Sequence, residues 1–253
     1  MSAPLTAFII FVCMFCGMAL GSYLRLVLPD DHTQADSKNI LMTSAGMMAT
    51  LIALIIGLLV TSAKGTYDVA TLSITQTGAK IITLDYYLSR YGSEAKEVRE
   101  LLPQAIASGI ERIWPNESKH GADLAKMESE TEMAVIYNKI REFSAKNDSQ
   151  KYLQTQALQL IDDIMQSRWM LIEQSQTKLP RVFLVALTFW LTVLFAQFGL
   201  LAPRNRTAMS ALLICALSRS GAIFLILELN QPLEGTIKVS SAPLHKALLL
   251  IGK

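Results

Sequence analysis

From Ile40 to Ala63 the chain runs for two dozen residues without a charged side chain, long enough to cross the hydrocarbon core of a bilayer. Within it Ala45, Ala49, Ala53 and Gly57 recur at every fourth position, the small-residue pattern that lets membrane helices approach closely. The three-four spacing does not stop where charges resume. Gly46, Ala49, Ala53, Ile56, Val60, Ala63, Tyr67, Ala70, Ile74, Thr77, Ile81, Leu84 and Leu88 all follow it. The pattern predicts one long helix that leaves the bilayer and continues into water.

Three further apolar blocks repeat the membrane signal. The first, Leu5 to Leu28, lacks the basic n-region and cleavage site of a signal peptide and is expected to stay as a transmembrane helix ended by Pro29. Its Gly17 and Gly21 make a GxxxG face suited to the Ala/Gly stripe of the second span. The third and fourth blocks, Val182 to Ala202 and Ala208 to Leu229, are separated only by PRNRT, a hairpin too short to hold a domain. Arg219 stands near the middle of the fourth. It costs about 2.5–3.5 kcal/mol on insertion scales, while some ten Leu, Ile and Phe residues contribute about 0.3–0.6 kcal/mol each, so the span inserts. Arg219 either serves a functional or interface role in the bundle, or snorkels toward the interface or a carbonyl.

Between the second and third spans the chain is polar from Lys64 to Lys178 and reads as helical, punctuated at Gly92, Pro103, Pro115, Gly121 and Asn147. Leu101 to Trp114 and Ala122 to Ala145 are amphipathic pieces, and Asp148 is a plausible N-cap for a last long helix reaching toward Lys178. Leu153, Leu160, Ile164 and Trp169 supply an apolar face to pack on the extension of the second helix. The closing APLHKALLLIGK is short and apolar enough to lie on a membrane surface.

The 51% hydrophobic content is therefore segregated into four blocks around a charged middle, which places the chain among polytopic membrane proteins. The fold expected is all-α: four transmembrane helices in a two-plus-two arrangement with a helical cytoplasmic bundle. Residues 1–63 hold the first two spans, 64–179 the polar region continuous with the second, 180–230 the other two spans, and 231–253 a membrane-proximal tail. A net charge of +2, with no basic run interleaved with aromatics, excludes a nucleic-acid surface.

Little of the chain suggests chemistry. Cys13 and Cys16 have CxxC spacing but sit mid-span with no second pair, which favours packing over redox or metal roles, and Cys215 also lies in a span. Asp30, Asp31, His32 and Asp36 crowd one loop, where a solvated turn outweighs a cation cage. His32, His120 and His245 are scattered, and Asp162 and Asp163, as helix neighbours, point apart. No nucleophile elbow or Gly-rich phosphate loop is present. No enzyme activity, cofactor or metal is expected.

A flank of the long helix does stand out. Thr43, Thr50, Gly57, Thr61, Lys64, Asp68, Thr71, Thr75 and Gly78 run beside the apolar seam, placing small and hydroxyl groups through the membrane and charge at its end. Channels line pores with such groups, although Thr and Gly are also ordinary packing residues in membrane helices.

Several runs carry a resemblance: GLLVTSAK at Gly57–Lys64, LDYYLSRYGSEA at Leu84–Ala95, IERIWP around Trp114, RWMLIEQS at Arg168–Ser175, GLLAPRN at Gly199–Asn205 and ILELNQPLEGTIKVSSAPL at Ile226–Leu244. Together the chain resembles the bacterial bestrophin-like family, named for its distant similarity to bestrophins. The resemblance implies a homopentameric ion channel with two spans, a helical cytoplasmic body and two more spans, the second span lining the pore. Arg219, Asn230 and Leu233 depart from the family pattern, in which an apolar or small residue, Asp and Phe are usual. The acidic calcium-binding cluster of animal bestrophins has no counterpart here, since the tail carries only Glu234.

The function expected is thus an oligomeric inner-membrane channel for inorganic ions, with Thr43, Thr50, Gly57, Thr61 and Lys64 as pore-lining candidates and Arg219 as an intramembrane polar candidate. Lys64 tilts selectivity slightly to anions, whereas Asp30 and Asp31 at the other mouth attract cations. The alternative is a non-conducting scaffold or sensor whose cytoplasmic helices bind a partner protein. Near the spans, Lys64, Lys80, Arg168, Lys178, Arg181, Lys238 and Lys246 outnumber Arg25, Lys38, Arg204 and Arg206 on the other side. That excess favours a cytoplasmic middle region and cytoplasmic termini.

Overall fold

The computed structural model describes residues 2–27, 35–114, 132–176, 179–203, 205–233 and 235–252. All of its regular elements among these residues are helical. They are α1 (Ala3–Val27), α2 (Ala35–Tyr91), a 3-10 turn (Ser93–Ala95), α3 (Lys96–Ile113), α4 (Glu132–Arg141), α5 (Asp148–Gln176), α6 (Arg181–Leu201), α7 (Arg206–Leu229) and α8 (Ala242–Leu250). α1, α2, α6 and α7 are each long and apolar enough to cross a membrane. The chain divides into two units, Met1–Tyr67 with Lys178–Ile237, and Asp68–Thr177 with Lys238–Lys253.

The first unit contains α1, the apolar part of α2, α6 and α7. Its core joins Ile10, Met14 and Met18 of α1, Ala45, Ile52, Ile56 and Ala63 of α2, Leu187, Leu191 and Phe195 of α6, and Ala216, Ile223 and Ile226 of α7. Glycine sets the closest approach. A β-carbon on Gly17 would lie 2.5 Å from the Thr192 carbonyl oxygen, and Gly21 and Gly199 abut the main-chain carbonyls of Ala196 and Met18. The GxxxG face of α1 therefore packs on α6, rather than on the Ala/Gly stripe of α2 as its spacing suggested. Thr192, Ala196 and Gly199 give α6 the complementary small face, so both backbones approach without displaced side chains. Ser220 ties α7 to α1 by donating to the Ala7 carbonyl at 2.8 Å. Val182, Val185, Ile214 and Leu217 are largely exposed, as lipid-facing side chains are.

At the end of α7 the chain turns back on a buried carboxylate. Glu228 is 3% exposed. Its Oε2 accepts from the amides of Thr236 at 2.5 Å and Ile237 at 3.1 Å. Gly235 passes beside that carboxylate with φ +87°, a conformation and a proximity that exclude a side chain.

The second unit contains the polar part of α2 with α3, α4, α5 and α8. Ala70, Ile74, Ile81, Leu84 and Leu88 of α2 meet a core that includes Leu102 and Ile106 of α3, Ile136 and Ile140 of α4, Ala157 and Ile161 of α5, and Leu244 and Ala247 of α8. Gly92, at φ +123°, turns the chain from α2 into α3. There Arg99 grips the buried Asp85 through two hydrogen bonds of 2.8 and 3.1 Å. Trp114 donates its indole N–H to the Val239 carbonyl at 2.7 Å, fastening α3 to the chain before α8. Gln154 donates to the carbonyls of Ile140 and Phe143 at 2.8 and 3.1 Å, satisfying the end of α4.

Four details differ from the sequence reading. Pro103 lies inside α3 and does not break it: the helix loses the bond a residue there would donate to Arg99 and continues. The cap of α5 is Asn147, whose side chain accepts from the Gln150 amide at 2.8 Å, so Asp148 is already helical. The tail is not free to lie on a surface, because α8 buries Leu244 and Ala247 in the second unit, with the Pro243 carbonyl against Gly78. The small-residue stripe of α2 also fails as a single packing face. Ala45 is buried and Ala49 partly so, but Ala53 and Gly57 are exposed. A four-residue step advances about 40° around a helix, so three steps rotate the stripe off the packed side. Of the expected piece from Ala122 to Ala145, only residues from 132 onward are described.

Candidate functional site

The packed side of α2 defines its open side. Ala45, Ile52, Ile56 and Ala63 are buried in one line. At 100° per residue, Thr43, Thr50, Gly57, Thr61 and Lys64 lie about 100–160° around the helix from it. All five are exposed. A β-carbon at Gly57 would meet nothing within 4 Å. The structure thus brings the five candidates onto one open face of one helix, interleaved with exposed Met47, Leu51, Leu54 and Leu58.

The hydroxyl groups on this face are oriented by the helix itself. Thr43 donates to the Asn39 carbonyl at 2.8 Å, Thr50 to Gly46 at 2.9 Å and Thr61 to Gly57 at 3.0 Å. With each proton directed inward, the lone pairs and the methyl face outward. Such a row accepts hydrogen bonds from the waters of a hydrated ion. It does not by itself favour an anion, so any such preference must come from cations such as Lys64 and Arg219.

In the second unit the flank divides. Asp68, Thr71 and Thr75 are exposed, whereas Gly78 is buried against α8 and serves packing instead of the open face. Arg219 stands apart from all of these, half-buried near the middle of α7. Cys13 is half-buried and Cys16 exposed. No group of three His, Cys, Asp or Glu among the described residues could hold a metal ion. Asp30, Asp31, His32, His120, Lys178, Arg204 and Glu234, and the side chains of Asp36 and Arg181, lie outside what the structure describes.

Several features escaped the sequence reading. An apolar cavity of about 110 Å³ in the second unit is walled by Ile74, Ile81, Ile106, Gly109 and Ile164, with Arg112 and Arg168 at its edge. Burial, and then the charge of Arg112, holds the Arg168 guanidinium below the usual arginine range. Beside the turn at Gly92, the Tyr91 ring stacks on Phe143 at 4.7 Å, and its buried hydroxyl has no hydrogen-bond partner among the described residues. Only the assembled helices show that Asp85, fourteen residues before Arg99, is its partner.

Residues 9–244 match the family model described as the Bestrophin-like domain. No curated protein matches the chain. Among solved structures, a substituted variant of a membrane protein aligns over 95% of this chain and 96% of its own, with TM-score 0.66 and 12% identity. A substituted variant of a bacterial bestrophin homolog from Klebsiella pneumoniae aligns over 94% and 97%, with TM-score 0.63 and 12% identity. At that identity the likeness is one of fold.

Proposed function

Because this chain belongs to the bestrophin-like family of multi-pass membrane proteins, we propose that it is a homo-oligomeric ion channel of a bacterial inner membrane. Bestrophins are pentameric channels, and five copies around an axis are the assembly we assign here. The open face of α2, with Thr43, Thr50, Gly57, Thr61 and Lys64, walls the pore. The observation that carries this reading is the two-sidedness of α2. One side is buried against α1, α6 and α7, while the opposite side exposes hydroxyls, a glycine and apolar side chains in alternation. Threonine oxygens accept hydrogen bonds from the waters of a passing ion, and exposed Leu54 and Leu58 narrow and dry the path between them. Inorganic ions are the partners, anions slightly preferred, and no reaction is catalysed. The excess of Lys and Arg near the polar region supports a cytoplasmic location for that region and both termini, against the pull of Arg204 and Arg206 in the opposite hairpin.

Purified protein in planar bilayers tests the proposal. Currents are expected that vary with salt, voltage or pH, from a particle of defined oligomeric size. A stable oligomer that passes no current under any of these conditions overturns the channel reading and favours a scaffold or sensor whose cytoplasmic helices bind a partner. A monomer, or an oligomer with no axis surrounded by α2, overturns it equally.

A further inference from the structure

We propose that Arg219 holds a small inorganic anion, of the chloride type, at mid-depth in the membrane. Arg219 is the fourteenth of the 24 residues of α7, about 15–20 Å from either end at 1.5 Å per residue. That separation exceeds the reach of an extended arginine side chain, so its guanidinium stays below the lipid headgroups. A charge at that depth persists only when it faces protein or water and finds a partner.

The surroundings of Arg219 point to a mobile counter-charge. Arg219 does not lie on the lipid-facing back of α7: it is about 120–160° around the helix from exposed Ile214, Leu217 and Leu225. One side borders the packed line of Ala216, Ser220 and Ile223, and the other is made of the small residues Cys215, Ser218 and Ala222. Its side chain makes no hydrogen bond or ion pair with the described residues. Nor does the sequence offer it a carboxylate. From Ala3 to Val27, Ile40 to Ala63, Val182 to Leu201 and Arg206 to Leu229 the one acidic residue is Glu228. Glu228 sits at the end of α7 with its oxygen held by two loop amides. A second copy of the chain has the same spans and likewise brings no counter-charge to this depth. A small anion answers the charge.

This proposal deepens the anion preference of the channel reading, but its test does not depend on conduction. The purified oligomer in neutral detergent is titrated with chloride, and binding is read from protein-dependent broadening of the chloride-35 NMR line. The native protein is expected to give a saturable broadening that bromide displaces. Arg219→Gln is expected to lose most of it, and Arg219→Lys to keep it. Both variants relieve or retain the charge without adding bulk, and size-exclusion chromatography verifies the oligomer. Equal broadening by native protein and Arg219→Gln, or no saturable broadening by native protein, overturns the assignment. Absence of current with binding intact would count against the channel reading alone.

Discussion

Gly21 of α1 rests against the main-chain carbonyl of Ala196 in α6, with no space between them for a β-carbon. Gly57 of α2 is the opposite case, with 4 Å of open space where its side chain would be. Gly21→Ala is therefore expected to force α1 off α6 and cost about 1–3 kcal/mol, and Gly57→Ala to leave stability within about 0.5 kcal/mol. Graded unfolding in SDS measures both. Equal losses at the two positions would show that the α1–α6 contact is not the constraint described.

The open face of α2 predicts a pattern of chemical access. In a background with Cys13, Cys16 and Cys215 replaced by serine, a charged thiol reagent is expected to reduce current through Thr50→Cys and Thr61→Cys. Ile52→Cys and Ile56→Cys, buried on the other side, are expected to resist it. Modification of the buried pair with protection of the exposed pair would move the pore to a different face.

Asp85 is buried and bound by Arg99 through two hydrogen bonds, and it also lies 3.4 Å from the amide of Gly252. The bond to Asp85 raises the Arg99 pKa above its ordinary value, overcoming the opposing effect of burial. Asp85→Asn keeps the shape and leaves a partly buried guanidinium short of its counter-charge. Allowing for the solvent that reaches Arg99, the loss is expected to be about 2–3 kcal/mol, read from urea unfolding followed by helix signal. An unchanged midpoint would remove the pair from the forces holding α2 to α3.

The Tyr91 hydroxyl is buried without a partner among the described residues while its ring stacks on Phe143. Tyr91→Phe keeps the ring contact and removes the desolvated group, so a gain of about 1 kcal/mol is expected at neutral pH. Burial first, and then the charge of Glu94, raises the pKa of this hydroxyl above 10.0. The folded state consequently keeps the proton after the unfolded chain gives it up. The contribution is whole below the unfolded value and is lost as pH climbs from there through the folded value. Thermal unfolding across that alkaline range should fall less steeply for Tyr91→Phe, and parallel slopes would refute the assignment.

Much of this arrangement was legible because membrane spans declare themselves through long uncharged runs, and α2 through a period that continued past them. From Ile56 onward the predicted seam agrees with the buried residues at Ala63, Ala70, Ile74, Ile81, Leu84 and Leu88, while its Val60 is exposed and its Tyr67 and Thr77 are half-buried. Ahead of it the seam went astray, since Gly46 and Ala53 are exposed while Ala45 and Ile52 are buried. In a stretch where every residue is apolar or small, periodicity loses its contrast and cannot tell lipid from protein. Partner choice was illegible for a related reason. Gly17 and Gly21 fit any small-residue face, and only the assembled helices show that α6 provides it. The five residues on the open face of α2 follow from spacing alone, but the inward aim of the hydroxyl protons of Thr43, Thr50 and Thr61 shows only in the folded helix.

The buried line of α2 passes through Ala45, Ile52, Ile56, Ala63, Ala70, Ile74, Ile81 and Leu88, in steps of seven interrupted by steps of four. An unbroken run of sevens would wind the helix into a left-handed supercoil, because seven residues fall short of two full turns. The interposed fours restore five turns in every eighteen residues, the period of an ideal uncoiled helix. Thr43 and Thr61 are eighteen residues apart and share one azimuth, separated by about 27 Å, close to the thickness of a bilayer's hydrocarbon core. Between Thr43 and Thr61 a helix of this period presents the same bearing from one leaflet to the other, so a particle travelling along it would follow a ruled line instead of a screw.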